Sequence, residues 1–160
     1  MDNQQNLYDL ASSFRNAMLV TRGLDGSLHA RPMAVAELEP DSDAYFSTSL
    51  ESPKIAEIEA NPEVLVTFQS RAEFATIQGR ATVIRDPAQI DRLWSEDWRV
   101  WFPKGKDDPN LCLLKISANR GEYWDTSGLE GLKFAFESVK ARLAGQTPQK
   151  SEVQNAKVEL

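Results

Sequence analysis

The chain is short of the residues that most often carry a reaction. Its 160 residues include one cysteine, Cys112, and one histidine, His29. A single cysteine excludes an intrachain disulfide and any multi-cysteine zinc site. A single histidine excludes two-histidine zinc hydrolases and haem sites that need more than one histidine. No metal site is expected. Neither G-x-G-x-x-G nor G-x-x-x-x-G-K-[ST] occurs, so the common phosphate loops are missing. There is no apolar run near the roughly 20 residues that span a bilayer, and residues 1–20 begin acidic and polar, with no apolar signal core. A cytoplasmic protein with a reduced thiol is the expectation. Positive charge is also scarce: the net charge is −6 and the pI about 4.9. That argues against nucleic acid or a membrane as a partner, while leaving room for a local basic pocket. The remaining composition, 41% apolar and 26% charged, is that of one soluble domain.

The apolar pattern alternates more often than it runs with a helical period. Residues 17–22, 27–38, 44–49, 63–70, 73–85 and 111–126 read as six strands. Asp25-Gly26 is the strongest hairpin signal. Pro32 inside the second strand predicts an edge or a bulge there, and the last strand is expected to bend near Asn119–Gly121. Short helices are predicted over 4–16, 52–62, 87–97 and 132–144, and a loop over 98–110. In the second helix Ser52 is placed as N-cap, with Pro53 at the first helical position. Residues 1–145 then form one domain, and 146–160, with few large apolar residues, a mobile tail. Hairpins dominate and no βαβ alternation is seen. The architecture expected is mainly β, an antiparallel barrel with peripheral helices.

One group of residues points to chemistry. Arg31 lies mid-strand, Ser47, Thr48 and Ser49 end the third strand, and Ser52 and Lys54 open the following helix. Hydroxyls, a helix start and two cations together make an anion site, suited to a phosphate monoester. The plainer alternative is helix capping by Ser52 with Lys54 in solvent. Glu57 and Glu59 read as a solvated helix face. His29, two residues from Arg31 on an alternating strand, reads as a surface or site-wall residue, and Cys112 in LCLL as a buried small side chain. Four tryptophans, Trp94, Trp98, Trp101 and Trp124, suit a core, a subunit interface or the wall of a planar ring. No residue stands out as a catalytic acid, base or nucleophile.

The segments MLVTRGLDGSLHARPM (18–33), AYFSTSLESPKIAEIEANPEVLVTF (44–68), IQGRATVI (77–84), LWSEDWRVWFPKGKDDPNLCLLKI (93–116) and GEYWDT (121–126) carry a family likeness. In that order and spacing the chain resembles the FMN-binding split barrels related to pyridoxamine 5′-phosphate oxidase, in particular the general stress protein 26-like branch. The resemblance implies a six-stranded antiparallel split β-barrel and a homodimer with FMN sites at the subunit interface. It implies that Arg31 and Lys54 hold the FMN phosphate, with Ser47, Thr48, Ser49 or Ser52 donating hydrogen bonds. Arg31, Pro32, Met33, Ala34, Phe46, Ser47 and Thr48 would run along the flavin ring and ribityl chain. Gln69 would lie near the ring, and Trp101 and Trp124 would arrive from the partner subunit.

The implied activity is that of a flavin-dependent oxidoreductase of unknown substrate, with a nicotinamide or another small molecule as redox partner. A flavin carrier or redox sensor without turnover is the alternative, as is a split barrel for haem or a deazaflavin. Oxidation of pyridoxamine 5′-phosphate itself is not expected. The vitamin oxidases bind substrate phosphate through a basic C-terminal segment, whereas DTSGLEGLKFAF follows Trp124 here, with no arginine before Arg142.

Overall fold

The computed structural model describes residues 2–128, 139–145 and 154–160. Helix α1 (Asn3–Ser12) leads into β1 (Asn16–Arg22), β2 (Leu28–Leu38) and β3 (Ala44–Ser49). Helix α2 (Pro53–Ala60) follows, then β4 (Glu63–Gln69), β5 (Glu73–Ile84) and α3 (Pro87–Leu93). Two 3-10 turns, Glu96–Val100 and Gly105–Asp107, lie where a loop was expected. The chain ends with β6 (Leu111–Asp125) and β7 (Gln154–Glu159).

The strands are antiparallel in the order β3-β2-β1-β4-β5-β6-β7, and β3 also pairs with β6. That extra pairing closes the first six strands into a barrel. The expected six-stranded antiparallel barrel is therefore present, with helices around it. Alternation fixes which face turns inward: β1 and β4 bury every second residue, and a one-residue slip would turn that whole set out to water. Leu19, Phe46, Val66, Phe68, Ile77, Leu114 and Ile116 fill the interior, and α1 adds Leu7, Leu10 and Ala11.

Pro32 is tolerated because β2 pairs with β3 only from Val35 onward, so on that side the strand is an edge at Pro32. A register shift between Val35 and Glu37 follows. Strand β6 changes neighbours along its length. Its lower half, Leu111–Ile116, pairs with β3, and its upper part, Arg120–Asp125, pairs with β7. Between them the pairing with β5 skips Asn119, a bulge at the predicted bend. Opposite it, a Cβ on Gly79 would lie 2.4 Å from the Ser117 carbonyl oxygen, so the strands meet this closely only through glycine.

The expectation of a mobile tail fails for the last residues. Strand β7 occupies the β6 edge that β3 leaves open, and Val158 is buried against the core. The sequence hid this because one buried valine in a polar strand leaves almost no apolar signal. Residues 146–153, and 132–138 of the predicted last helix, lie outside the described residues; 139–143 are helical. The other helices are shorter than predicted. No helix among the described residues is long and apolar enough to cross a membrane.

A buried cationic corner as candidate anion site

Helix α2 starts at Ser52, whose backbone is extended, with Pro53 in the first turn. It turns Ile55 and Ile58 into the barrel core, and the same burial takes in Lys54 and Glu57. Lys54 and Glu57 are three residues apart and so share a helix face. In the sequence Glu57 reads as part of a solvated face, and Lys54 either as part of an anion site or, on the plainer alternative, as solvent-facing. The structure corrects the solvent-facing readings: Lys54 is 9% exposed and Glu57 6%.

Lys54 Nζ donates to Thr48 Oγ1 at 2.8 Å and to Ser52 Oγ at 2.6 Å. Ser52 therefore spends its hydroxyl on the lysine and makes no side-chain cap. An ammonium has three donors, and two meet hydroxyls here. Lys54 has no carboxylate partner within ion-pair distance among the described residues. Burial pushes its pKa down, and the nearby Arg31 charge pushes the same way. A buried cation held only by hydroxyls is costly, and an anion at that corner would relieve the cost. The residues present thus fit a phosphate group.

Arg31 approaches the same corner from β2. It lies opposite Leu19 in the β1–β2 register, so its side chain leaves on the inward face. Its Nη1 donates to Thr21 Oγ1 at 2.6 Å, and its Nη2 meets Glu57 Oε2 at 3.3 Å. Thr21 in turn donates to Glu57 Oε2, while His29 Nδ1 lies 2.8 Å from Glu57 Oε1. The Thr21 hydrogen bond, then that of His29, holds the Glu57 carboxyl below the usual glutamate range, against the opposing effect of burial. Sequence reasoning missed Glu57 and Thr21. The available signal was the three-residue spacing of Glu57 from Lys54, and the inward parity of Thr21 with Leu19.

The predicted residues divide between two faces. On β3, Phe46 and Thr48 point inward, whereas Ser47 and Ser49 alternate to the other face. Ser49 Oγ accepts from the Glu51 amide. On β2, Arg31 and Met33 share the inward face, and Pro32 and Ala34 the outward one. Gln69 is exposed at the end of β4, opposite Phe74. Cys112 is fully buried opposite Thr48, donates to the Thr48 carbonyl, and has its thiol pushed up to about 11 by burial.

Two predicted residues lie away from this corner. Trp101 is 78% exposed and lines a groove of about 700 Å³ with Tyr8, Phe14, Ala34 and Trp98. Trp124 pairs with Phe74 in the upper part of β6, while Ser47 pairs with Leu113. At about 3.3 Å per residue, the eleven steps from Leu113 to Trp124 span roughly 35 Å of strand. Trp124 thus sits at the other end of β6 from the residues that pair with the third-strand hydroxyls.

A family model described as pyridoxamine 5′-phosphate oxidase like matches residues 2–149. General stress protein 26 of Bacillus subtilis (strain 168) is 36% identical over 77 residues, which is 45% of this chain and 54% of that protein. The chain therefore spans about half the length of the curated relative it matches. Among solved structures, the general stress FMN/FAD binding protein from Xanthomonas citri is 35% identical, with a TM-score of 0.67, over 78% of this chain and 89% of that chain. The General Stress Protein 26 from Bacillus anthracis str. Sterne has a TM-score of 0.69 over 77% of this chain and 94% of its own; at 24% identity it speaks to the fold alone.

Proposed function

The chain belongs to the pyridoxamine 5′-phosphate oxidase-like family, and we propose that it binds FMN and works as a flavin-dependent oxidoreductase. The observation that carries this reading is Lys54, a buried ammonium whose partners are the Thr48 and Ser52 hydroxyls. A flavin phosphate would supply the missing anion. The 35% identity to a protein described as FMN/FAD binding points to the same ligand class. We assign Lys54 and Arg31 to the phosphate, with Thr48 and Ser52 orienting the ammonium. Ser47 and Ser49, on the opposite face of β3, and the backbone of Pro32, Met33 and Ala34 remain available to the rest of the ligand.

A homodimer completes the proposal. The position of Trp124 far along β6 from the third-strand partners, and the exposure of Trp101, support a reading in which these rings act at the site of a second copy. When bound, the flavin would supply hydride or electron transfer, with a nicotinamide or another small molecule as partner. This chain's own residues would bind the phosphate, orient the ring and exclude water from one face.

The test is an absorption spectrum of the purified protein, repeated after addition of FMN, FAD or riboflavin and desalting. Retention of FMN near one per chain, lost in Lys54→Ala and Arg31→Ala, is the expected result. Equal retention of riboflavin would remove the phosphate assignment. Oxidation of a nicotinamide donor with turnover of an acceptor would establish the oxidoreductase; tight FMN without turnover would make the protein a carrier or sensor. A haem or deazaflavin spectrum would replace the ligand.

A further inference from the structure

We infer that Thr21, with Glu57, holds one end of the Arg31 guanidinium and so presents its other edge to the anion as a two-pronged donor. Thr21 is then a positioning residue of the phosphate site, and the inference rests on the phosphate reading above.

Thr21 is 1% exposed and belongs to the inward set of β1, with Ala17 and Leu19. Valine would suit such a buried strand position equally well, and a buried hydroxyl is costly unless it is bonded. This hydroxyl serves two charged groups. It has one hydrogen, an ionised carboxylate only accepts, and a guanidinium only donates. Glu57 is held below the usual glutamate range and is ionised at neutral pH. The Thr21 hydrogen therefore goes to Glu57 Oε2, and the Thr21 oxygen accepts from Arg31 Nη1 at 2.6 Å. Glu57 Oε2 also accepts from Arg31 Nη2 at 3.3 Å. Thr21, Glu57 and Arg31 thus close a ring of hydrogen bonds, with its two anchors set by β1 and α2.

The donors left over follow by count. A guanidinium has five N–H groups. Nη1 gives one to Thr21 and one, at 3.5 Å, to the Leu19 carbonyl, and Nη2 gives one to Glu57. Nε–H and the second Nη2 hydrogen have no acceptor among the described residues. These two share one edge of the planar group, the geometry that meets two oxygens of a phosphate. The Arg31 side chain is 23% exposed and that of Glu57 8%, so the guanidinium keeps an opening to a ligand while its anchors are buried. A group already held in its binding orientation loses less freedom when the ligand arrives. Glu57 also offsets part of the repulsion between Arg31 and Lys54 in the ligand-free chain.

A double-substitution cycle read by ligand affinity tests the inference. Thr21→Val keeps the side-chain shape and removes the hydroxyl. It should weaken FMN binding at least about threefold, within the range for directly coupled residues. Riboflavin, which has no phosphate, should bind this variant and the parent alike. In an Arg31→Ala background Thr21→Val should have no further effect on FMN, because the group it positions is gone. Thr21→Ser restores the hydroxyl and should bind FMN as the parent does. Arg31→Lys keeps the charge without the fork and should not bind as the parent does. A merely structural hydroxyl would lower the melting temperature and weaken FMN and riboflavin together, or act equally in the Arg31→Ala background. Either result overturns the inference, as does unchanged FMN affinity in Thr21→Val or parental affinity in Arg31→Lys. The ligand-free full chain gives a second readout. In 15N spectra of the arginine side chains, with Arg31 assigned through Arg31→Lys, its guanidinium should rotate slowly in the parent and freely in Thr21→Val. If Thr21→Val does not fold, the parent spectrum decides: slow rotation supports the inference and free rotation overturns it. Failure of the folded parent to bind FMN would instead sink the FMN reading, and the same spectra then decide whether Thr21 positions Arg31.

Discussion

Two regions of this small protein spend buried volume in opposite ways. At the α2 corner, a lysine, an arginine and a glutamate are packed beside the barrel core and joined by hydroxyls. Beneath α3 and the 3-10 turns, Ile90, Phe102, Leu111 and Leu113 form a separate apolar cluster, flanked by Trp94 and Trp98. The second region gains free energy on folding from burial alone. The first gives much of it back through desolvation. On the proposed reading a bound anion offsets the cost of the first region, whereas the second region serves stability alone.

That contrast can be broken by substitution. The largest effect on stability is expected in the apolar cluster. Leu113 is fully buried, and Leu113→Ala should cost about 2–5 kcal/mol in denaturant unfolding, while the folded fraction still binds FMN with parental affinity. Lys54→Met should do the reverse. It replaces a buried ammonium with an apolar chain of similar length, and should cost about 2–4 kcal/mol of FMN affinity in a fluorescence titration. The ligand-free melting temperature should not fall, because replacement of a buried charge by an apolar chain is commonly neutral or stabilising. If Lys54→Met unfolds the protein, the corner is structural and the contrast collapses.

Strand β7 offers an intermediate case. Removal of residues 154–160 exposes the surface that Val158 covers, and should cost about 1.5–3 kcal/mol of stability.

The acid limb of the stability curve sharpens the electrostatic half of the comparison. Glu57 titrates below 4.5, the ordinary glutamate value, in the folded chain. The unfolded chain therefore binds the proton first, and stability rises with pH across that interval. The contribution of Glu57 is complete above about 4.5 and is lost as pH falls through its folded value. Glu57→Gln should show a shallower loss between pH 5 and 3 than the parent. An unchanged acid limb would mean that the carboxylate is not held by its partners. The smallest effect belongs to Trp101→Ala. The ring is 78% exposed, so monomer stability should shift by less than about 0.5 kcal/mol. Any larger change, if it depends on protein concentration, would place the ring in a contact between copies of the chain.

Much of the barrel could be read from the chain. Hairpin signals, alternation and Pro32 are local properties, and each had the structural meaning its chemistry suggested. The corner was legible only in part. Arg31, Thr48, Ser52 and Lys54 carry the residue types of an anion site, and the structure brings them to one place. Their hydroxyl neighbours Ser47 and Ser49 have the same chemistry and fall on the other face, because parity in β3 follows from which residues meet the core.

By itself, the sequence determined the strand pattern, the start of α2 and the presence of two cations near a run of hydroxyls. These depend on residues within a few positions of one another, where sterics and spacing suffice. Only the tertiary structure decided that Lys54 and Glu57 are buried, that Thr21 and His29 close on the same carboxylate, and that 154–159 complete the β6 edge. Each of those depends on a partner 28 to 36 residues away, as with Glu57 and its neighbours, or on an edge left open by another strand. The energy of a buried charge is set by the three-dimensional neighbours that replace water, and no local pattern in the chain encodes them.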